Sequence, residues 1–206
     1  ALVVEDGGPL PSVAVVVEDA EEPKEDLAPA REAFFALDNA HIIEITLSEF
    51  ALQALDAEPY EYVPGDVTVN GELFPQVAVR LKGKWGSFRP LPEKSAFLIN
   101  FAKYDKESRL FGMKKMALNN QVQDASRMHE WLAYSMFRAA GLPASRLTFT
   151  WVRVNDEDFG LYAALEVVDN PHFLKAFFAD NDGQLYEGEY GTDLFSDKIS
   201  AFDQDG

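Results

Sequence analysis

A chain of 206 residues, 47% of them hydrophobic, can bury one sizeable core. A formal net charge of -17 argues against a nucleic-acid binder, which needs a basic face, and the lack of cysteine excludes disulfides, thiolate catalysis and cysteine-held zinc. No apolar run approaches the roughly 18 residues of a helical membrane span, and an acidic, thiol-free surface suits a secreted or cell-surface protein.

Residues 1–36 read as an acidic, proline-containing lead-in, with a short strand over 13–17 and with Phe34 and Phe35 docking onto the domain of residues 37–206. The start at Ala1 reads as a processed one. The β-branched run 41–47 predicts a strand, and Ser48 is placed to cap a helix reaching Ala57. Residues 60–63 and 66–69 predict two short strands around Pro64 and Gly65. Asn70-Gly71 supplies the two positive φ values of a type I′ hairpin turn into a strand over 73–81. There Val77, Val79 and Leu81 alternate with Ala78, Arg80 and Lys82, so the cations share one face. A strand over 94–101 sets Phe97, Ile99 and Phe101 opposite Lys94, Ala96 and Leu98.

A short strand at 116–119 follows. Asp124 or Ser126 then caps the main helix, which runs to Ala140 with Met128, Trp131, Leu132, Ser135 and Met136 as its inward stripe. Strands over 147–154 and 160–168 flank a turn at 155–159, and Pro171 opens a short helix. A tight turn at 180–183 and a strand at 185–187 end the ordered pattern. These elements predict an α+β fold, a mostly antiparallel sheet with one main packed helix.

Positive charge collects in one place. Between Arg80 and Lys115 there are ten Lys or Arg and three Asp or Glu, a local excess of seven in a strongly acidic chain. Gly83 and Gly86 in the intervening loop let backbone amides approach an anion, and Arg80, Lys82 and Lys84 stand in a row beside them. Phosphate is the anion this arrangement suits, although a solvated basic face has the same pattern. Lys94 and Glu130 form a second candidate, because a strand lysine paired with a helix glutamate is how protein kinases hold nucleotide phosphates. Asp180, Asp182 and Gly183 partly match a calcium loop, but Phe178 in the first ligand position makes a β-turn the better reading. His41, His129 and His172 lack metal-ligand spacing, and no nucleophile elbow is present.

The order of these pieces resembles the CotH kinase family, atypical protein kinases related to spore-coat protein H. Arg80-Leu81-Lys82-Gly83 with Ser87, then Glu93-Lys94-Ser95-Ala96-Phe97, look like the family's signature. Leu118-Asn119-Asn120 with Asp124 and Ser126, the helix from Glu130 to Gly141, Gly160-Leu161-Tyr162, and Glu166-Val167-Val168-Asp169 agree in collinear order, as does Asp182-Gly183-Gln184-Leu185-Tyr186-Glu187-Gly188. The resemblance covers roughly residues 37 to 195. It implies the N-terminal lobe and hinge of a divergent kinase-like fold, ATP with Mg or Mn, a Ser-rich protein substrate, and a bacterial, secreted or cell-surface location. Lys94 becomes the candidate phosphate lysine, with Arg80, Lys82 and Ser87 along the phosphate loop, Glu130 as the lysine's partner, and Glu166 at the hinge near the adenine. Leu98 departs from the pattern, where a second basic residue is common. The family's metal-binding aspartates lie beyond the hinge, so the end at Gly206 implies a truncated form. The alternative is a non-catalytic extracellular module that keeps the fold.

Overall fold

Alternating apolar residues along seven strands close into one barrel in the computed structural model, which describes residues 26–178, 185–188 and 202–205. The chain order is α1 (Ala28–Phe35), β1 (His41–Thr46), α2 (Glu49–Ala57), β2 (Val63–Val69), β3 (Glu72–Lys82), β4 (Ala96–Asn100), β5 (Lys115–Asn119), α3 (His129–Ala139), β6 (Leu147–Val154), β7 (Glu157–Glu166) and α4 (Pro171–Phe177). A separate antiparallel pair joins β8 (Leu185–Gly188) to β9 (Phe202–Asp205).

The strand order is β1-β2-β3-β4-β5-β7-β6, and a parallel pairing of β1 with β6, from His41 opposite Thr150 to Ile45 opposite Val154, closes the ring. This corrects the expected kinase-like lobe, an antiparallel sheet with one packed helix. Closure satisfies both edges of the sheet and turns its apolar face onto itself. Ile43, Ile45, Val79, Leu81, Phe97, Ile99, Met116, Leu118 and Tyr162 fill the core, each no more than 1% exposed.

The strands supply most of the core, to which α1 adds Phe34 and Phe35 and α2 adds Ala51 and Leu55, while α3 is left to the outside. No residue of α3 is buried. Its expected stripe holds only in part: Met128, Trp131 and Ser135 are half-buried, and Trp131 rests with Tyr134 on an outer patch formed by Ala117, Leu147, Ala163 and Leu165, but Leu132 and Met136 face solvent.

Local chemistry sets several boundaries. Ser48 caps α2 by accepting a hydrogen bond from the Ala51 amide at 3.1 Å. Asn70 (φ 51°) and Gly71 (φ 87°) make the expected hairpin turn, with Val69 opposite Glu72. Pro64 and Gly65 do not divide two strands; both lie inside β2, where a register shift between Gly65 and Val67 absorbs the irregularity. Asn155 and Asp156 (φ 48° and 66°) form a two-residue turn, so β7 begins at Glu157 and not at Gly160. Phe34 and Phe35 are buried as expected, on a helix the sequence reading did not anticipate. The strand expected at 13–17 and the turn at 180–183 lie outside the described residues.

Candidate functional site

Arg80 and Lys82 leave β3 on the barrel's outer face, since the register pairs Leu81 with Phe97 inside and Lys82 with Ala96 outside. Ala96 is too small to block the ammonium. Lys82 Nζ reaches Asn119 at the end of β5 and donates to its Oδ1. Asn119 Nδ2 passes the contact on, donating to Glu130 Oε1 at 2.5 Å, while Gln121 Nε2 donates to Glu130 Oε2 at 2.6 Å. Burial lowers the pKa of Lys82 and neighbouring Arg80 lowers it further, with Glu130 opposing them. A desolvated lysine facing a helix glutamate through one amide is thus the centre of the site.

These groups line a cavity of about 330 Å³ together with Gly83, Ser87, Asn120 and Asp124. The loop over it is held in a defined shape. Gly83 has φ 111°, and a Cβ there would lie 3.1 Å from the Phe88 backbone and from Ser87 Oγ, so only glycine fits without strain. Tyr60 Oη donates to the Gly83 carbonyl at 2.9 Å, and Ser87 Oγ donates to the Lys84 carbonyl at 3.2 Å. Asn120, 3% exposed, donates through Nδ2 to the carbonyls of both Ser87 (2.9 Å) and Lys94 (2.8 Å), tying the two ends of the loop together. Replacing Asn120 with alanine leaves both carbonyls without this donor. The expected loss is about 1–3 kcal/mol of stability, read by urea denaturation, with faster proteolytic cleavage within residues 83–95. Unchanged cleavage would refute the clamp.

Asp124 orders the approach to α3. Its Oδ2 accepts from the His129 amide at 2.8 Å, and its Oδ1 accepts from the Ser126 amide and hydroxyl. Desolvation opposes ionisation, yet these hydrogen bonds outweigh it and hold the carboxyl at about 2. The helix starts at His129, later than expected, because residues 124–128 form this capping turn.

Lys94 stands just before β4, apart from that cavity's lining. Its ammonium donates to the Leu161 carbonyl at 2.7 Å and lies 5.0 Å from the centre of the Tyr162 ring. Arg127 donates to the same carbonyl at 3.2 Å. Burial, and then the adjacent Arg127 charge, push Lys94 down to about 8, with Asp158 acting the other way. A lysine whose folded pKa is depressed binds fewer protons than the unfolded chain between that value and 10.5. Folding stability therefore rises as pH increases across this window. The urea midpoint of the wild type is expected to rise from pH 8 upward, and that of Lys94→Met to rise less; equal slopes would contradict the depressed value.

The structure thus brings together Lys82, Ser87 and Glu130, and sets three other candidates elsewhere. Glu130 meets Lys82 through Asn119, whereas Lys94 is engaged by Leu161. Arg80 sits 5.4 Å from the Tyr62 ring centre, outside the cavity lining. Glu166, 2% exposed at the end of β7, is gripped by Arg146 at 2.6 and 2.7 Å. Sequence reasoning left Asn119, Asn120 and Gln121 without roles; three consecutive amides ending a buried strand were the available signal. Among the described residues no group of three or more His, Asp or Glu side chains is gathered to hold a metal ion, and no helix is long and apolar enough to cross a membrane.

Comparison with known families matches residues 79–205, more than half of the chain, to the model described as CotH kinase protein. No curated protein matches the chain.

Proposed function

The chain belongs to the CotH kinase protein family, and from that premise we propose that the Lys82 cavity holds the phosphates of ATP for transfer to serine or threonine of a Ser-rich protein, outside the cell. Family membership carries nucleotide and metal use in general; the choice of ATP, Mg or Mn, and Ser-rich acceptor is our reading. One observation carries it: the Lys82–Asn119–Glu130 chain beneath the Gly83–Ser87 loop.

The residues fit a polyphosphate. Lys82 supplies a fixed, partly desolvated charge, and such contacts strengthen as water is excluded. Glu130 orients that ammonium through Asn119 and counters the cost of keeping it charged under cover. Backbone amides of the loop can approach phosphate oxygens because Gly83 and Gly86 present no Cβ. Lys94 and Arg127, on the Leu161 carbonyl, add positive potential at the start of β4. A divalent cation would neutralise phosphate charge in transfer. The described residues offer no ready-made site for one, so no step is assigned to it.

The test is calorimetric titration of the chain with ATP and MnCl2 or MgCl2, alongside transfer of labelled phosphate to a Ser-rich peptide. Binding with transfer supports the full reading. Binding without transfer marks a module that keeps the site but not the chemistry. Absence of ATP binding refutes the phosphate-site assignment.

A further inference from the structure

A larger cavity, about 730 Å³, opens between α1, α3, α4 and the start of β6. Helix α3 separates it from the Lys82 site. Glu130 serves the smaller cavity, while Trp131, Ser135 and Arg138, at spacings of four and three residues, present an adjacent face to the larger one. Three arginines line it against two glutamates, Arg31, Arg138 and Arg146 against Glu32 and Glu166, a local excess of one positive charge in a chain of net charge -17.

The pairing is uneven. Arg146 takes both carboxylates, gripping Glu166 and contacting Glu32. Among the described residues Arg138 and Arg31 hydrogen-bond only to neutral partners: Arg138 to the Ser145 carbonyl and Ser135 Oγ, and Arg31 to the Phe111 carbonyl at 3.0 Å. Arg31 is 7% exposed, and its Nε has no hydrogen-bond partner among the described residues. Burial first, and the Arg146 charge second, disfavour the charged form of both. A buried and a half-buried guanidinium, which Glu32 and Glu166 reach only through space and not by hydrogen bonds, are a costly arrangement that an incoming anion would relieve. The remaining walls are apolar and aromatic, with Trp131, Phe35 and Phe173 among them.

We propose that this cavity is a second binding site, for a small ligand that joins one carboxylate or phosphate group to an apolar ring, the anion on Arg138 and Arg31 and the ring between the aromatic walls. The site is independent of the nucleotide reading, and its failure would leave that reading intact.

Phenyl phosphate and phenylacetate serve as probes of the two headgroups, with inorganic phosphate as the ringless control, each titrated by calorimetry into the wild-type chain. At least one ring-bearing probe is expected to bind tenfold more tightly than inorganic phosphate. Two variants should each weaken it about tenfold: Arg138→Gln, and Ala176→Glu, which sets a carboxylate on the exposed, cavity-lining face of α4 without touching the barrel. Lys82→Met should leave this binding unchanged, and saturating ATP should not compete. The proposal is overturned if neither ring-bearing probe binds, if Ala176→Glu binds as the wild type does, or if ATP displaces the probe.

Discussion

Lys82→Met is expected to weaken ATP binding about 10- to 150-fold while leaving the barrel folded. A charge-assisted contact to phosphate contributes roughly 1.5–3 kcal/mol, and a factor of ten corresponds to about 1.4 kcal/mol. Methionine keeps most of the side chain's length and removes the charge that burial disfavours, so thermal stability should be unchanged or slightly higher. Loss of affinity with an unshifted Tm therefore isolates the phosphate contact from any folding defect. Lys94→Met should have a smaller effect, because Lys94 lies off the cavity lining and spends its ammonium on the Leu161 carbonyl. A reversed ranking, with Lys94→Met the more damaging, would move the phosphate contact to Lys94.

The largest effect on stability belongs to the buried ion pair. Arg146 holds Glu166 through two nitrogens, and its ring-facing side stacks 5.1 Å from the Phe35 ring centre. Its pKa is raised because these carboxylate bonds overcome the opposing burial. Arg146→Ala would strand a carboxylate that is 2% exposed at the end of β7. Stranding a buried charge costs about 3–5 kcal/mol, which for a chain of this size lowers Tm by roughly 6–20 °C. Arg153→Ala provides the contrast. Its pair with Glu44 spans 3.4 Å between half-exposed side chains, and such pairs contribute at most about 1 kcal/mol. Equal melting temperatures for the two variants would refute the distinction.

What could be read in advance follows from what each pattern encodes. Alternation in β3 and β4 assigned Val79, Leu81, Phe97 and Ile99 to one face and Arg80 and Lys82 to the other, because the side-chain period of a strand is two whatever it pairs with. Ser48 and Asn70-Gly71 were legible for the same reason: capping and hairpin chemistry act within a few residues. Closure of the barrel was not legible. It rests on β1 lying parallel to β6, over a hundred residues away, and no local pattern records a partner at that distance. The main helix misled because Leu132 and Met136 look like a core stripe, yet the core is already filled by the strands together with α1 and α2.

The site was half legible in the same sense. The basic loop and Glu130 stood out by charge and order, but the lysine that meets Glu130 is decided by reach. Lys82 crosses the small Ala96 to Asn119, whereas Lys94 falls before β4 and turns toward β7. The residue that joins the pair, Asn119, carries no charge and so gave no electrostatic signal in the sequence.

The central claim, that nucleotide phosphates meet Lys82, is tested most directly with an acyl-phosphate derivative of ATP, which transfers its acyl group to the amine beside the bound phosphates. The lowered pKa of Lys82 favours that reaction. Peptide mapping by mass spectrometry is predicted to find the acyl group on Lys82, suppressed by excess ATP. Labelling that ATP suppresses at Lys94 or any other lysine, with Lys82 unmodified, would contradict the account.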